Sequence, residues 1–320
     1  MFARDGTMAK TDKSTLFHYL ESKIEHSIPT SDDNCFVDGN FLLHLLPSNK
    51  APTYGSLARM ILVHATALSK TRIDILFDSY SDPSIKDKER ERRGLQTINY
   101  IITGSEQRCP QNLGEALRAS SFKKNLPRFL IEEWTHKQYI DIFGDKHIYL
   151  GVESECYHFY VSNEEIKRET VVELSTNHDE ADTRICFHAS SIDRACTPLN
   201  NIAIRAADTD ILIIMLYHLH KFNAKVWMDV GTASRNNRRY ISISGIADAL
   251  GVQMWKAFPA FHAFTGCDYT SSFVRKGKIR PFTCLEKNTG LIKVFANLAC
   301  QKPTAQMYND LEKYVCKIYG

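Results

Sequence analysis

Seven carboxylates, spread over five short segments, are the residues of this chain most able to do chemistry together. Asp38 closes the apolar run Asn34-Cys35-Phe36-Val37, and Asp78 closes Ile73-Asp74-Ile75-Leu76-Phe77. Asp208 ends the run that begins at Ile202, and Asp210 follows it by two residues. Glu180 and Asp182 are likewise two apart, and Asp268 sits in Thr265-Gly266-Cys267-Asp268-Tyr269. Carboxylates gathered in one pocket repel and stay ionised together only when cations neutralise them. Hard divalent ions with oxygen ligands, Mg²⁺ or Mn²⁺, suit such a set. Two of them about 4 Å apart can activate a water and stabilise the leaving oxygen of a phosphodiester. Each acid also has a local reading. A lone Asp after a strand is commonly a helix cap or turn residue. Asp208-Thr209-Asp210 could be a capping pair, and Glu180 and Asp182 could favour a helix N-terminus through its dipole. The metal reading rests on their joint occurrence.

The elements that must position these acids alternate. Residues 34–38, 73–78 and 202–208 read as strands that each end on an acid. Residues 41–46, 54–68, 179–189 and 211–219 have helical spacing. Further strands are expected at 226–230 and 240–243, with helices at 246–250, 254–264, 291–298 and 305–319. Strands alternating with helices imply a mostly parallel sheet, whose ligand sites lie beyond the carboxyl ends of its strands. The expected fold is α/β. Residues 1–33 read as an N-terminal extension with a helix near 16–24. Residues 34–93 and 178–285 form the core, 94–177 an insertion, and 286–320 C-terminal helices. Within the insertion, 126–140 reads as a helix after Pro127, and 147–152 and 156–161 as strands joined by a turn. The chain stops on a helix with no tail, which points to a piece of a longer protein.

Composition bounds the rest. The chain has 320 residues, 43% of them apolar and 24% charged, enough to bury a core. A formal net charge of +3 excludes a protein that coats nucleic acid through bulk charge, so any such contact needs a local basic patch. Nine cysteines occur without metal-ligand spacing and read as reduced thiols of an intracellular protein, nuclear or cytoplasmic. No secretory leader or spanning run is evident, so no membrane partner is expected. His178, His188, His218, His220 and His262 lack a supporting ligand pattern and read as structural. Trp227 and Trp255 read as core, and Cys267 as packing.

Taken in order, these segments resemble the flap endonucleases within the PIN-like nucleases. Val37-Asp38-Gly39 resembles the family's first strand-end aspartate. Phe77-Asp78, followed by a basic segment, resembles its second. Asp179-Glu180-Ala181-Asp182 is similar to the family's "EAEA" motif, with Asp182 in place of the second glutamate. Ala207-Asp208-Thr209-Asp210 resembles its "D-x-D" strand end, and Gly266-Cys267-Asp268-Tyr269 its "GxDY" segment. The resemblance covers roughly residues 34–93 and 178–285. It implies a PIN-like three-layer α/β/α fold with an inserted segment in place of the helical arch. It implies a structure-specific 5′-nuclease-like activity on DNA or RNA, with two Mg²⁺ or Mn²⁺ ions and in-line hydrolysis that leaves a 5′-phosphate. Asp38, Asp78, Glu180 and Asp182 would serve the first ion, Asp208, Asp210 and Asp268 the second, with Asp182 between them. Lys86, Arg92 and Arg93 would stabilise charge on the scissile phosphate. Six and seven residues apart, they fall near one helix face. With Glu89 and Glu91 beside them they also read as a solvated face with internal ion pairs.

Three features depart from the family pattern. Position two is not glycine, residues 94–174 do not resemble an arch, and Val274-Arg275-Lys276-Gly277-Lys278-Ile279-Arg280 lacks the double glycine of the duplex-gripping turn. Arg275, Lys276, Lys278 and Arg280 remain candidate contacts to duplex phosphates. The rival readings are a non-catalytic nucleic-acid-binding or scaffold protein that keeps the fold, and a structural module of a larger, mobile-element-derived protein.

Overall fold

A computed structural model describes residues 9–30, 34–47, 51–69, 71–79, 98–195 and 201–320. The expected basic helix at 85–93, with Lys86, Arg92 and Arg93, lies outside the described residues. The protein is α/β, with a single, mostly parallel sheet of eight strands among the described residues. These are β1 (Asn34–Asp38), β2 (Arg72–Leu76), β3 (His147–Val152), β4 (Glu155–Ser162), β5 (Glu165–Thr170), β6 (Asn201–Arg205), β7 (Lys225–Val230) and β8 (Arg239–Ser242). Their order is β5-β4-β3-β2-β1-β6-β7-β8. The chain divides into two compact units. One comprises residues 29–206 and 229–238, the other residues 1–28, 207–228 and 239–320.

In the first unit β1 pairs in parallel with both β2 and β6, and β2 pairs in parallel with β3. The register places Asp38 opposite Leu76, so the acid-bearing ends of β1 and β2 leave the sheet at the same edge. Short apolar strands buried on both faces are what a covered parallel sheet requires. Cys35, Val37, Ile73 and Ile75 pack in one core with Leu57, Ala58, Ile61 and Leu62 of the Tyr54–Thr66 helix. Thr53 and Ser56 start that helix as a reciprocal capping box. The opposite face of β2 carries Asp74, fully buried against His188 of the Ala181–Ala195 helix. Helices therefore cover both faces of this part of the sheet.

The segment expected to be an insertion is built into that core. It supplies β3, β4 and β5, and Leu113, Phe122, Leu130, Trp134, Phe143 and Phe159 join the same apolar cluster. β3 is its link, parallel to β2 along its length. β5 was not legible in the sequence because it is a charged edge strand with only Ile166 buried, the composition that protects a sheet edge. The expected helix at 126–140 instead runs Ser120–Glu133, with Pro127 inside it. Phe122, Leu126 and Leu130 are buried at four-residue spacing through the proline. Tertiary packing of that face outweighs the local break.

The second unit is helical around β8 and most of β7. Phe258, Phe261, Phe282, Phe295 and Tyr314 interlock, with ring centroids 5.3–5.9 Å apart along the chain of contacts from Phe258 to Tyr314. Residues 9–28 are part of this unit and not an extension. The Ser14–Glu21 helix buries Leu16, Phe17 and Leu20, and Tyr19 Oη donates to Glu286 at 2.9 Å. Glu21 pairs with Arg239. Residues 286–320 pack here as well.

Gly39 begins the helix after β1 where a Cβ would lie 2.6 Å from the buried Phe77 ring. Gly39→Ala is expected to lower stability by about 1–3 kcal/mol, as overpacking does, read as a lower urea midpoint. An unchanged midpoint would show that the Phe77 ring has room to turn.

Candidate metal centre

Four of the seven acids belong to the first unit. Asp38 ends β1 and caps the Gly39–Leu45 helix, accepting from Phe41 N at 3.1 Å. The chain leaves β2 at Leu76, buries Phe77 and reaches Asp78. One oxygen of Asp78 accepts from Asn40 Nδ2 and the other from Ala181 N, both at 2.8 Å. Ala181 opens the Ala181–Ala195 helix, so Asp78 holds the helix start that carries Glu180 and Asp182. Ser79 N donates to Asp179 O at 2.6 Å in the same place. Behind it, the buried Arg184 guanidinium donates to Phe77 O at 3.0 Å and Glu155 O at 3.2 Å. These bonds tie together the segments bearing Asp38, Asp78, Glu180 and Asp182.

The other three acids lie in the second unit. Asp208 caps the Thr209–His218 helix, accepting from Asp210 N at 2.8 Å. The capping reading of Asp208 therefore holds, alongside a second contact. Lys13 Nζ sits 3.4 Å from Asp208 Oδ1, 2.9 Å from Asp210 Oδ2 and 3.1 Å from Asp268 Oδ1. The remaining oxygen of Asp210 faces His262 Nε2 at 2.7 Å. Burial alone would raise the Asp210 pKa, but the bonds from His262 and Lys13 outweigh it and hold the carboxyl at about 2. Burial likewise opposes the charge on Lys13, yet the Asp210 bond and the charges of Asp208, Asp210 and Asp268 raise its pKa. Behind His262, Lys278 is buried, with Nζ donating to His262 O at 2.8 Å and Thr265 Oγ1 at 2.9 Å, and 3.4 Å from His262 Nδ1. With Nε2–H facing Asp210, Nδ1 is the acceptor that faces this lysine.

The four basic residues of the 274–280 turn divide. Arg275 and Arg280 are exposed, and Lys276 lies over the Tyr319 ring at 4.4 Å. Lys278 is fully buried, so it props His262 and does not present a charge to a phosphate. His188 donates or accepts within the core, with Nδ1 2.9 Å from Asp74 Oδ2, and Arg72 Nε meets the same carboxylate at 2.7 Å. Lys13 was missed because nothing in a polar N-terminal stretch marks it. His262 was read as structural, and only the fold sets it against Asp210.

No protein-family model matches the chain, and no curated protein matches it. Among the described residues no helix is long and apolar enough to cross a membrane.

Burial pushes Lys278 down to about 7. Between that value and the ordinary lysine value the unfolded chain binds a proton that the folded chain does not, so stability rises with pH across this interval. Urea midpoints at pH 7, 8 and 9 are expected to climb, and Lys278→Met to flatten the climb. A wild-type midpoint that falls over this range would show an ammonium that stays charged in the fold.

Proposed function

We propose that this protein is a metal-dependent hydrolase of phosphodiester bonds in DNA or RNA, on a PIN-like, 5′-nuclease-like α/β core. The observation that carries the reading is topological. β2, β1 and β6 are parallel neighbours, and each ends on, or is followed within three residues by, an aspartate: Asp78, Asp38 and Asp208. Carboxyl ends of parallel strands are where α/β sheets hold ligands. The donor chemistry fits the group: carboxylate oxygens, with no thiolate among them, suit Mg²⁺ or Mn²⁺. In this reading Asp182, Asp208 and Asp210 are metal ligands. Asp38, Asp78 and Glu180 complete the set. A bound divalent ion would supply Lewis-acid activation of water and of the phosphoryl oxygen. The chain's own part is to hold Asp210 ionised through His262 and Lys13, and to fix Asp182 through the Asp78–Ala181 bond. Exposed Arg275 and Arg280 would meet the phosphate backbone.

A second reading, a non-catalytic nucleic-acid-binding or scaffold protein, is favoured by one observation. The carboxylates of Asp208, Asp210 and Asp268 already share the ammonium of Lys13, a positive charge within the chain. The two readings part in a cleavage assay with labelled flap, duplex and single-stranded DNA and RNA, in Mg²⁺ or Mn²⁺. The hydrolase predicts cleavage that EDTA stops and that Asp208→Asn/Asp210→Asn reduces at least about 100-fold, the scale expected when transition-state electrostatics are removed. Intact binding with no cleavage of any substrate supports the scaffold. In either case Arg275→Ala and Arg280→Ala should weaken binding evenly across sequences and lower the salt slope by about one each. An unchanged salt slope would remove this turn from the interface.

A further inference from the structure

Lys13 is not placed like an ordinary surface lysine. Its ammonium lies within 3.4 Å of carboxylates from three sites in the sequence, Asp208, Asp210 and Asp268. An ammonium has three hydrogens to donate, and three acceptors surround it. The side chain is 18% exposed, and its backbone is fixed on both sides. After it, the Ser14–Glu21 helix starts at Ser14, whose N donates to Asp12 Oδ1 at 2.9 Å, and is anchored by the buried Leu16, Phe17 and Leu20. Before it, Ala9 O accepts from Ser272 N at 2.8 Å and from Ser272 Oγ at 2.9 Å. Ser272 belongs to the loop that presents Asp268, closed tightly at Gly266, where φ is +105° and a Cβ would lie 2.6 Å from Ser272. Ordering a long side chain has an entropic cost that exposed pairs barely recover. Here the backbone is already ordered on both sides, and the carboxylates come from elements fixed by other contacts.

We propose that Lys13 takes, within the chain, the place among Asp208, Asp210 and Asp268 that a second divalent ion would otherwise occupy, bringing one positive charge to it, so that the protein binds one divalent ion and not two. Asp268 then serves the lysine, not the ion. An ammonium offsets carboxylate charge and donates hydrogen bonds but is no Lewis acid. Its contribution to the proposed hydrolysis is therefore fixed electrostatic stabilisation. That last statement rests on the hydrolase reading. The ion count does not.

The test is the number of Mn²⁺ ions bound per full-length chain, followed by the electron paramagnetic resonance of free Mn²⁺ at neutral pH, with circular dichroism to check folding. Wild type and Lys13→Arg should bind one ion. Lys13→Gln, which takes the ammonium away from the three carboxylates, should gain a second. Two ions on wild type, with the affinity seen in Lys13→Gln, would mean that the lysine is displaced and would overturn the proposal. So would an unchanged count in Lys13→Gln. If Lys13→Gln does not fold, Asp268→Asn decides. Mn²⁺ binding unchanged within twofold supports the proposal, and a loss of an ion or at least tenfold weaker binding overturns it. One ion on wild type, two on Lys13→Gln and no cleavage of any nucleic acid would sink the hydrolase reading and leave the role of Lys13 standing.

Discussion

Carboxylates crowded at strand ends cannot all stay charged without compensation, and each unit of the molecule shows part of the answer. In the first, backbone and amide donors take part. Phe41 N faces Asp38, and Asn40 Nδ2 and Ala181 N divide the two oxygens of Asp78. Those bonds also set the start of the Ala181–Ala195 helix, so charge compensation and chain direction are one event. In the second unit an ammonium takes part. Lys13 reaches three carboxylates, and His262 takes the remaining oxygen of Asp210.

The cost of this arrangement appears one layer deeper. His262 can face Asp210 only if something holds its ring, and Lys278 does so from a buried position that depresses its own pKa. A lysine from the basic turn is thereby turned inward, leaving Arg275 and Arg280 as the exposed charges there. The first unit has a comparable set, in which the buried Asp74 meets Arg72 and the buried His188. Buried charges persist in both places because each has a partner of opposite sign or several hydrogen bonds.

Much of the strand and helix pattern was legible because the apolar runs are short, bounded and end on acids. β3 is found where alternation put it, and the Ala305–Tyr319 helix likewise. Other elements were not. Ser120–Glu133 runs through Pro127 because its Phe122, Leu126 and Leu130 face is buried, which local propensity cannot anticipate. β5 is polar because it is an edge. Residues 94–177 read as an insertion because no phosphate-loop or metal-binding signature marks them, yet β3 pairs with β2, and residues of 113–170 join the core.

The sequence by itself determined the acids, their order and their exit from strands, since these follow from residue types and apolar runs. Parallel alignment of β2, β1 and β6 then made the edge that Asp78, Asp38 and Asp208 leave from. Only the tertiary structure decided which groups answer the charge. Lys13 and Asp268 are 255 residues apart in the chain, and no local pattern pairs them. Counter-charge depends on distance in space, and for residues so far apart in sequence that distance exists only once the N-terminal helix has packed.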